Sequence, residues 1–321
     1  MPDLSHLNMD ILTAPTPSAA APVLPLRVIT AEELAATRFP PRKLLLAPWL
    51  PQKGLAMVYG ARGIGKTHLT LNVAYAVATG GSFLRWQAPG AQRVLIIDGE
   101  MPAVTLQTRL AAITGAAAVQ PQPGLIRFLA ADLQERDLDL SDPAHQDQLA
   151  PLLEGVSLVI VDNISTLSRA GKENEAESWL PVQQWALGQR RAGRSVLFMH
   201  HAGKGGAQRG TSRREDVLDT VIALRQPQDY QSGEGARFEI HFEKNRGFFG
   251  DDAKPFEAAL TGGRWTTRDV DDAEMERVVL LKAGGASVRD IAEETGLSKS
   301  KVDRVLKRAA DTRYTTPVPA T

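Results

Sequence analysis

The stretch Gly60-Ala61-Arg62-Gly63-Ile64-Gly65-Lys66-Thr67 decides how this 321-residue chain is read. It follows the apolar run Leu55-Ala56-Met57-Val58-Tyr59 and precedes a helix-like run over 68–79. Strand, glycine loop and helix in that order turn the spacing G-x-x-x-x-G-K-[ST] into a phosphate-binding site. The glycines let backbone N–H groups curl around a polyphosphate, and the positive end of the new helix faces the same anion. Lys66 then reaches the β- and γ-phosphates and the Thr67 hydroxyl takes a place on Mg²⁺. The nucleotide-holding set is Gly60, Ala61, Arg62, Gly63, Ile64, Gly65, Lys66, Thr67 and His68.

Outward from the loop, apolar strands alternate with helical segments. Strands are expected over 93–98, 125–129, 158–162 and 195–200, and helices over 101–118, 145–153 and 179–191. Continuous rather than alternating apolar character in those strands means a parallel sheet covered on both faces. The segment 132–143 is polar and acidic and reads as a loop. Beyond 217 the pattern changes to strands over 217–224, 237–243 and 255–260 with little helix between them, which suggests antiparallel strands at the sheet edge. Residues 1–26 are rich in Pro, Ala, Ser and Thr and are expected to be disordered, and Thr30-Ala31-Glu32-Glu33-Leu34 has the form of a short capped helix. The α/β core is then 27–265, a polar linker 266–272, a helical unit 273–310 and a flexible end 311–321. Trp49, in the irregular lead-in, has two readings: a stack for an adenine base or a hydrophobic anchor.

The composition is ordinary for a soluble globular protein, with 43% hydrophobic and 23% charged residues. The absence of cysteine excludes disulfides and thiolate metal sites. No segment has the length and apolarity of a membrane span, and the N-terminus lacks the order of a signal peptide, so the expected location is cytoplasmic. Lys plus Arg and Asp plus Glu are both 37, so charge informs only locally. Seven basic residues and no acidic ones lie between Arg190 and Arg214, and Lys299, Lys301, Arg304, Lys307 and Arg308 face the single acid Asp303. Two basic segments in a neutral chain suit nucleic acid.

Carboxylates end two of the strands, where open α/β sheets place ligands. Asp162 closes Leu158-Val159-Ile160-Val161 and is the expected Mg²⁺-holding acid. Hydrolysis needs a second acid for the attacking water, and Glu100 in Asp98-Gly99-Glu100 is the choice. His201 follows the strand over 195–200 and reads as a γ-phosphate sensor or a relay to the nucleic-acid side, or else as a cap on a strand end. Lys204 and Arg209, among glycines, suit contact with a phosphate backbone. Lys244 and Arg246 read either as solvated turn charges or as cations offered to a neighbouring subunit's γ-phosphate.

In this order the motifs resemble the RecA-like ATPases, and within them the RepA-type hexameric plasmid helicases and related phage or mobile-element ATPases. The resemblance covers roughly residues 48–260. It rests on Pro48-Trp49-Leu50-Pro51, the phosphate loop, Asp98-Gly99-Glu100, Val161-Asp162-Asn163, His200-His201 and Lys244-Asn245-Arg246. It implies an α/β fold with a mainly parallel sheet and antiparallel edge strands, ATP and Mg²⁺, Lys66 and Thr67 at phosphate and metal, Glu100 as base, Asp162 at the metal and His201 as sensor. It further implies Lys244 and Arg246 acting in trans within a ring, with single-stranded DNA in a channel lined by the loop 203–214.

Residues 288–305 add the cadence of a helix-turn-helix, with Ile291, Leu297, Val302 and Val305 in a small core, Gly296 in the turn and Ser298 capping the second helix. Lys299, Lys301 and Arg304 would meet duplex DNA; a protein-binding helical module is the other reading. The expected function is a ring-forming, DNA-stimulated ATPase working as a replicative helicase or translocase. An ATP-switched DNA-binding regulator or loader is the rival, with a recombination-type ATPase behind it.

Overall fold

A computed structural model describes residues 26–168, 176–203 and 216–313. It divides into two units, Met1–Pro41 and Arg42–Thr321. The first contains α1 (Ala31–Ala36), closed by a capping box: Glu33 N–H donates to Thr30 Oγ1 at 3.2 Å, and Thr30 N–H donates to the Glu33 carboxylate at 2.9 Å.

The second unit begins with the hairpin β1 (Leu44–Leu46) and β2 (Leu50–Pro51), then β3 (Leu55–Gly60), α2 (Lys66–Thr79) and a small hairpin of β4 (Ser82–Phe83) and β5 (Trp86–Gln87). It continues through β6 (Val94–Asp98), α3 (Ala103–Ala116), β7 (Ile126–Ala130), α4 (Pro143–Leu149), β8 (Leu158–Asp162), α5 (Ile164–Leu167), α6 (Ala176–Arg191) and β9 (Ser195–His201). Four more strands follow, β10 (Thr220–Arg225), β11 (Arg237–Asn245), β12 (Phe256–Thr261) and β13 (Arg264–Asp269), and then α7 (Val270–Ala283), α8 (Val288–Thr295) and α9 (Lys299–Arg313).

Nine strands form one sheet in the order β13-β12-β11-β10-β3-β9-β8-β6-β7. The pairs from β10 to β7 are parallel and those from β10 to β13 antiparallel. Both faces are covered, which is why the central strands are apolar throughout. In β3, Ala56 and Val58 pack with α2 on one side, while Leu55, Met57 and Tyr59 face Trp179, Val182 and Trp185 of α6 on the other.

Three expectations change. Residues 266–272, read as a linker for their polarity, form the edge strand β13 and the first turn of α7. The two-residue turn Gly262-Gly263 (φ 56° and 78°) closes the β12–β13 hairpin, with Thr261 paired to Arg264. An edge strand needs no apolar alternation, so composition hid it. The chain thus passes from sheet to helices without a break, and Arg268 spans the junction, bonding Glu257 on β12 and Glu276 on α7 at 3.0 Å each. The segment read as a loop over 132–143 includes part of a 3-10 turn at Ala131–Leu133 and the start of α4.

Trp49 is fully buried, its ring centroid 5.1 Å from that of Trp86, which in turn meets Phe256 edge-on at 5.9 Å. It is an anchor between the lead-in hairpin and the sheet, with no face left for a base. Trp49→Ala should therefore cost about 3–5 kcal/mol in urea unfolding and leave the ratio of ATP to GTP affinity unchanged. A changed ratio at unchanged stability would restore the stacking role.

Candidate active site

The parallel register brings four chemically loaded strand ends to one edge. Gly60 on β3 lies opposite His201 on β9, and Asp98 on β6 opposite Asp162 on β8. All four are buried. This is the carboxyl edge of an open parallel sheet, where such folds bind ligands.

Between β3 and α2 the loop turns through positive φ at Gly63 (77°) and Gly65 (112°). At Gly65 the need is also steric, since a Cβ there would stand 2.9 Å from Cβ of Ala236. Lys66 is buried and donates from Nζ to the carbonyls of Gly60 at 3.0 Å and Ala61 at 2.9 Å, which places its ammonium over the loop mouth. Burial, helped by Arg62 and opposed by Asp162 and Glu100, holds that ammonium below the ordinary lysine range. The N–H groups of Lys66, Thr67 and His68 open α2 and have no partner within the helix. Burial, with Arg109 nearby, lowers the His68 pKa, so it adds little positive charge at neutral pH. Glycine curvature, helix-terminal donors and a covered ammonium fit a polyphosphate.

Asp162 is buried and accepts from Thr70 Oγ1 at 3.2 Å. Burial, then the charges of Asp98 and Glu100, push its pKa up to about 7, against the Thr70 bond and Lys66. Asp98 is raised as well, chiefly by burial. One of its oxygens accepts the N–H groups of Glu100 (3.0 Å) and Met101 (2.7 Å), while Oδ2 is buried without a hydrogen-bond partner. Two desolvated carboxylates beside a lysine fit a divalent cation.

Glu100 stands at the mouth of this edge, its side chain 44% exposed. Asn163 donates an amide hydrogen to its Oε2, and His201 Nε2 lies 3.4 Å from that oxygen. Gly99 makes the approach possible, since a Cβ there would press on Thr166 Oγ1 at 2.6 Å and Leu167 Cγ at 2.7 Å.

Lys66, Thr67, Glu100, Asp162 and His201 are thus brought to one edge. Lys244 and Arg246 are not. Ile240 and Gly60 both lie opposite Leu224, and β11 runs away from that level. Lys244 is four residues farther and Arg246 six, about 13 and 20 Å along the strand at ~3.3 Å per residue. Within one chain they belong to the amino edge, where Arg246 N–H donates to Asp219 O at 2.9 Å. Lys204 and Arg209 lie outside the described residues. Lys299 and Arg304 are exposed on α9, whereas Lys301 bonds Glu274 of α7 at 2.7 Å. The three helices share a core of Val278, Ile291 and Val302, with Leu297 and Val305 against it, and Lys301 N–H donates to Ser298 Oγ at 3.3 Å.

Sequence reasoning missed the roles of Thr70, Asp98, Gly99 and Asn163. One signal was available: an Asn directly after the strand-ending Asp162 and three residues before Thr166 is an N-cap pattern.

Residues 20–207 match the AAA domain family. None of the curated proteins compared matches the chain. Among solved structures the chain is similar to the crystal structure of a KaiC-like protein from the hyperthermophilic archaeon Pyrococcus horikoshii OT3. The identity is 14% over 70% of this chain and 93% of that one, with a TM-score of 0.52, a likeness of fold: α/β, RecA-like.

The raised pKa of Asp162 carries a sign. Between its ordinary value of 3.8 and about 7 the unfolded chain has released a proton that the folded chain keeps, so stability falls as pH rises through that window. Asp162→Asn removes this loss. Without nucleotide, the stability difference in favour of the variant should widen by roughly 1 kcal/mol or more per pH unit over that window, an upper-end slope, and level off above it. Urea unfolding at pH 4.5, 6 and 8 measures it; a constant difference would mean that Asp162 is not desolvated.

Proposed function

The chain belongs to the AAA domain family, and on the premise that it is a RecA-like ATPase we propose that it hydrolyses ATP as a ring-forming DNA helicase or translocase. The observation that carries the ATPase step is the convergence of Lys66, Thr67, Asp162 and Glu100 on one sheet edge. Lys66 and the N-terminal donors of α2 would hold the β- and γ-phosphates, and Thr67 and Asp162 would hold Mg²⁺. A cation held there would supply neutralisation of the charge that develops in the transition state. Glu100 takes the proton of the water whose oxygen attacks the γ-phosphorus as the bond to the β-phosphate oxygen breaks, leaving ADP and phosphate. His201, beside Glu100, senses whether the γ-phosphate is present.

The ring reading is supported by position. Lys244 and Arg246 are far from their own phosphate loop along β11, which suits service to a neighbour's γ-phosphate across a subunit boundary, most simply in a hexamer. DNA is supported by the basic stretch that continues directly from β9 and includes Lys204 and Arg209. A second reading, an ATP-switched DNA-binding regulator or loader, is favoured by one feature: α7 continues β13 without a linker, with Arg268 tying sheet to helix. In that reading α8 and α9 are a helix-turn-helix rigidly joined to the ATPase, reading duplex through Lys299 and Arg304 while Lys301 is partly spent on Glu274.

Steady-state ATPase assays with single-stranded DNA, specific duplex or no DNA separate the two. A motor is stimulated by single strands and unwinds a tailed duplex; a regulator answers to one duplex sequence without unwinding. Lys66→Ala should reduce hydrolysis by at least 100-fold, and an undiminished rate would refute the site. Mixing Arg246→Ala with Lys66→Ala subunits should restore part of the activity. Absence of complementation would remove the trans role.

A further inference from the structure

Asn163 is fully buried, yet every polar atom of its side chain is engaged with a different part of the active edge. Its Oδ1 accepts the N–H of Thr166 at 3.2 Å and so caps α5. That bond fixes which way the amide points, because a flipped amide would turn its oxygen toward a carboxylate. One hydrogen of Nδ2 goes to Oε2 of Glu100. The other points to His201 Nε2, 3.1 Å away, which accepts it when the imidazole carries its own proton on Nδ1. The backbone supports the same placement: Gly99 N–H donates to Asp162 O at 2.8 Å, carrying the β6–β8 pairing past Asp98 to the threshold of Glu100.

A base must be held as well as ionised. Glu100 is the most exposed member of the edge, and a glutamate in water samples many rotamers. Its Oε2 is the atom taken by Asn163, and the side chain as a whole is 44% exposed. His201, 3.4 Å from Oε2, would compete for the same oxygen as a cation. The amide between them bonds both groups, reaching Glu100 Oε2 and His201 Nε2.

We propose that Asn163 is a positioning residue for hydrolysis: its amide holds one oxygen of Glu100 so that the other meets the attacking water, and keeps His201 from pairing with that carboxylate. The inference rests on Glu100 being the base, and its test separates the two claims.

Asn163→Ser and Asn163→Asp both retain an oxygen to cap α5 and both lose the amide donor. Turnover, affinity for a fluorescent ATP analogue and thermal unfolding are measured for each, alone and combined with Glu100→Gln. The expected result is a kcat lowered roughly 10- to 100-fold, with nucleotide affinity within about twofold and melting temperature close to the parent, as a retained cap requires. Because Asn163 acts through Glu100, the double variants should be no slower in single turnover than Glu100→Gln alone. An unchanged or raised kcat in the Ser and Asp variants, with Glu100→Gln inactive, overturns the positioning role and leaves the base assignment standing. Multiplying losses in the double variants also overturn it, since they would mean an effect independent of Glu100. An active Glu100→Gln variant removes the base and the positioning role together.

Discussion

Two carboxylates that end neighbouring strands at the same register, both out of water, set the terms for the rest of this molecule. Asp98 and Asp162 are paired across β6 and β8 and both are buried. Like charges in a poorly solvated place raise each other's pKa and cannot both ionise cheaply. The surrounding chain offsets this only in part: Thr70 donates to Asp162, two backbone N–H groups donate to Asp98, and Lys66 adds a positive charge nearby. One Asp98 oxygen is left over. A fold stabilised for its own sake would place apolar residues at these strand ends, as it does along the rest of both strands. Retaining two costly acids there is understandable if a cation and a phosphate chain complete the charge balance.

The opposite edge of the sheet makes the contrast clear. Asp219 lies at the amino edge, and burial disfavours its charge too, but Arg42, the Leu55 N–H and Arg190 hold its pKa below the ordinary range. It closes the start of β3 as a satisfied structural clamp. Residue type and burial are similar at the two edges, and the pKa moves in opposite directions because only Asp219 is bonded by two guanidinium groups. That difference, more than the presence of acids, marks the carboxyl edge as the working one.

The phosphate loop, the parallel strands and the three C-terminal helices were legible because each is written in local periodicity and punctuation. Glycine spacing, apolar runs ending in Asp, and a Ser-capped basic helix need no knowledge of what lies across the sheet. What was hidden depends on pairing. β13 is polar because it is an edge, so its composition imitated a linker; Gly262-Gly263 was the turn signal that outweighed it. Trp49 was ambiguous because burial against Trp86 is decided by a residue 37 positions away. Asn163 reads as a cap, and its bonds to Glu100 and His201 exist only once β6, β8 and β9 lie side by side. Lys301 appeared free on a basic helix, but α7 supplies Glu274.

Strand direction carries the largest consequence. Lys244 and Arg246 follow the phosphate loop in sequence like the other motif residues, and nothing in their spacing says which end of the sheet they reach. Since β11 runs antiparallel to β10, its start lies beside the loop, where Ala236 and Phe238 back Gly65, and its end lies at the amino edge. A salt-like contact cannot span that interval, and a rigid sheet does not bend to close it. These two cations therefore serve the nucleotide of another chain, or no nucleotide at all. Lys66, Asp98, Asp162 and Glu100 all lie toward the carboxyl edge of the sheet, so within one chain Lys244 and Arg246 reach none of them.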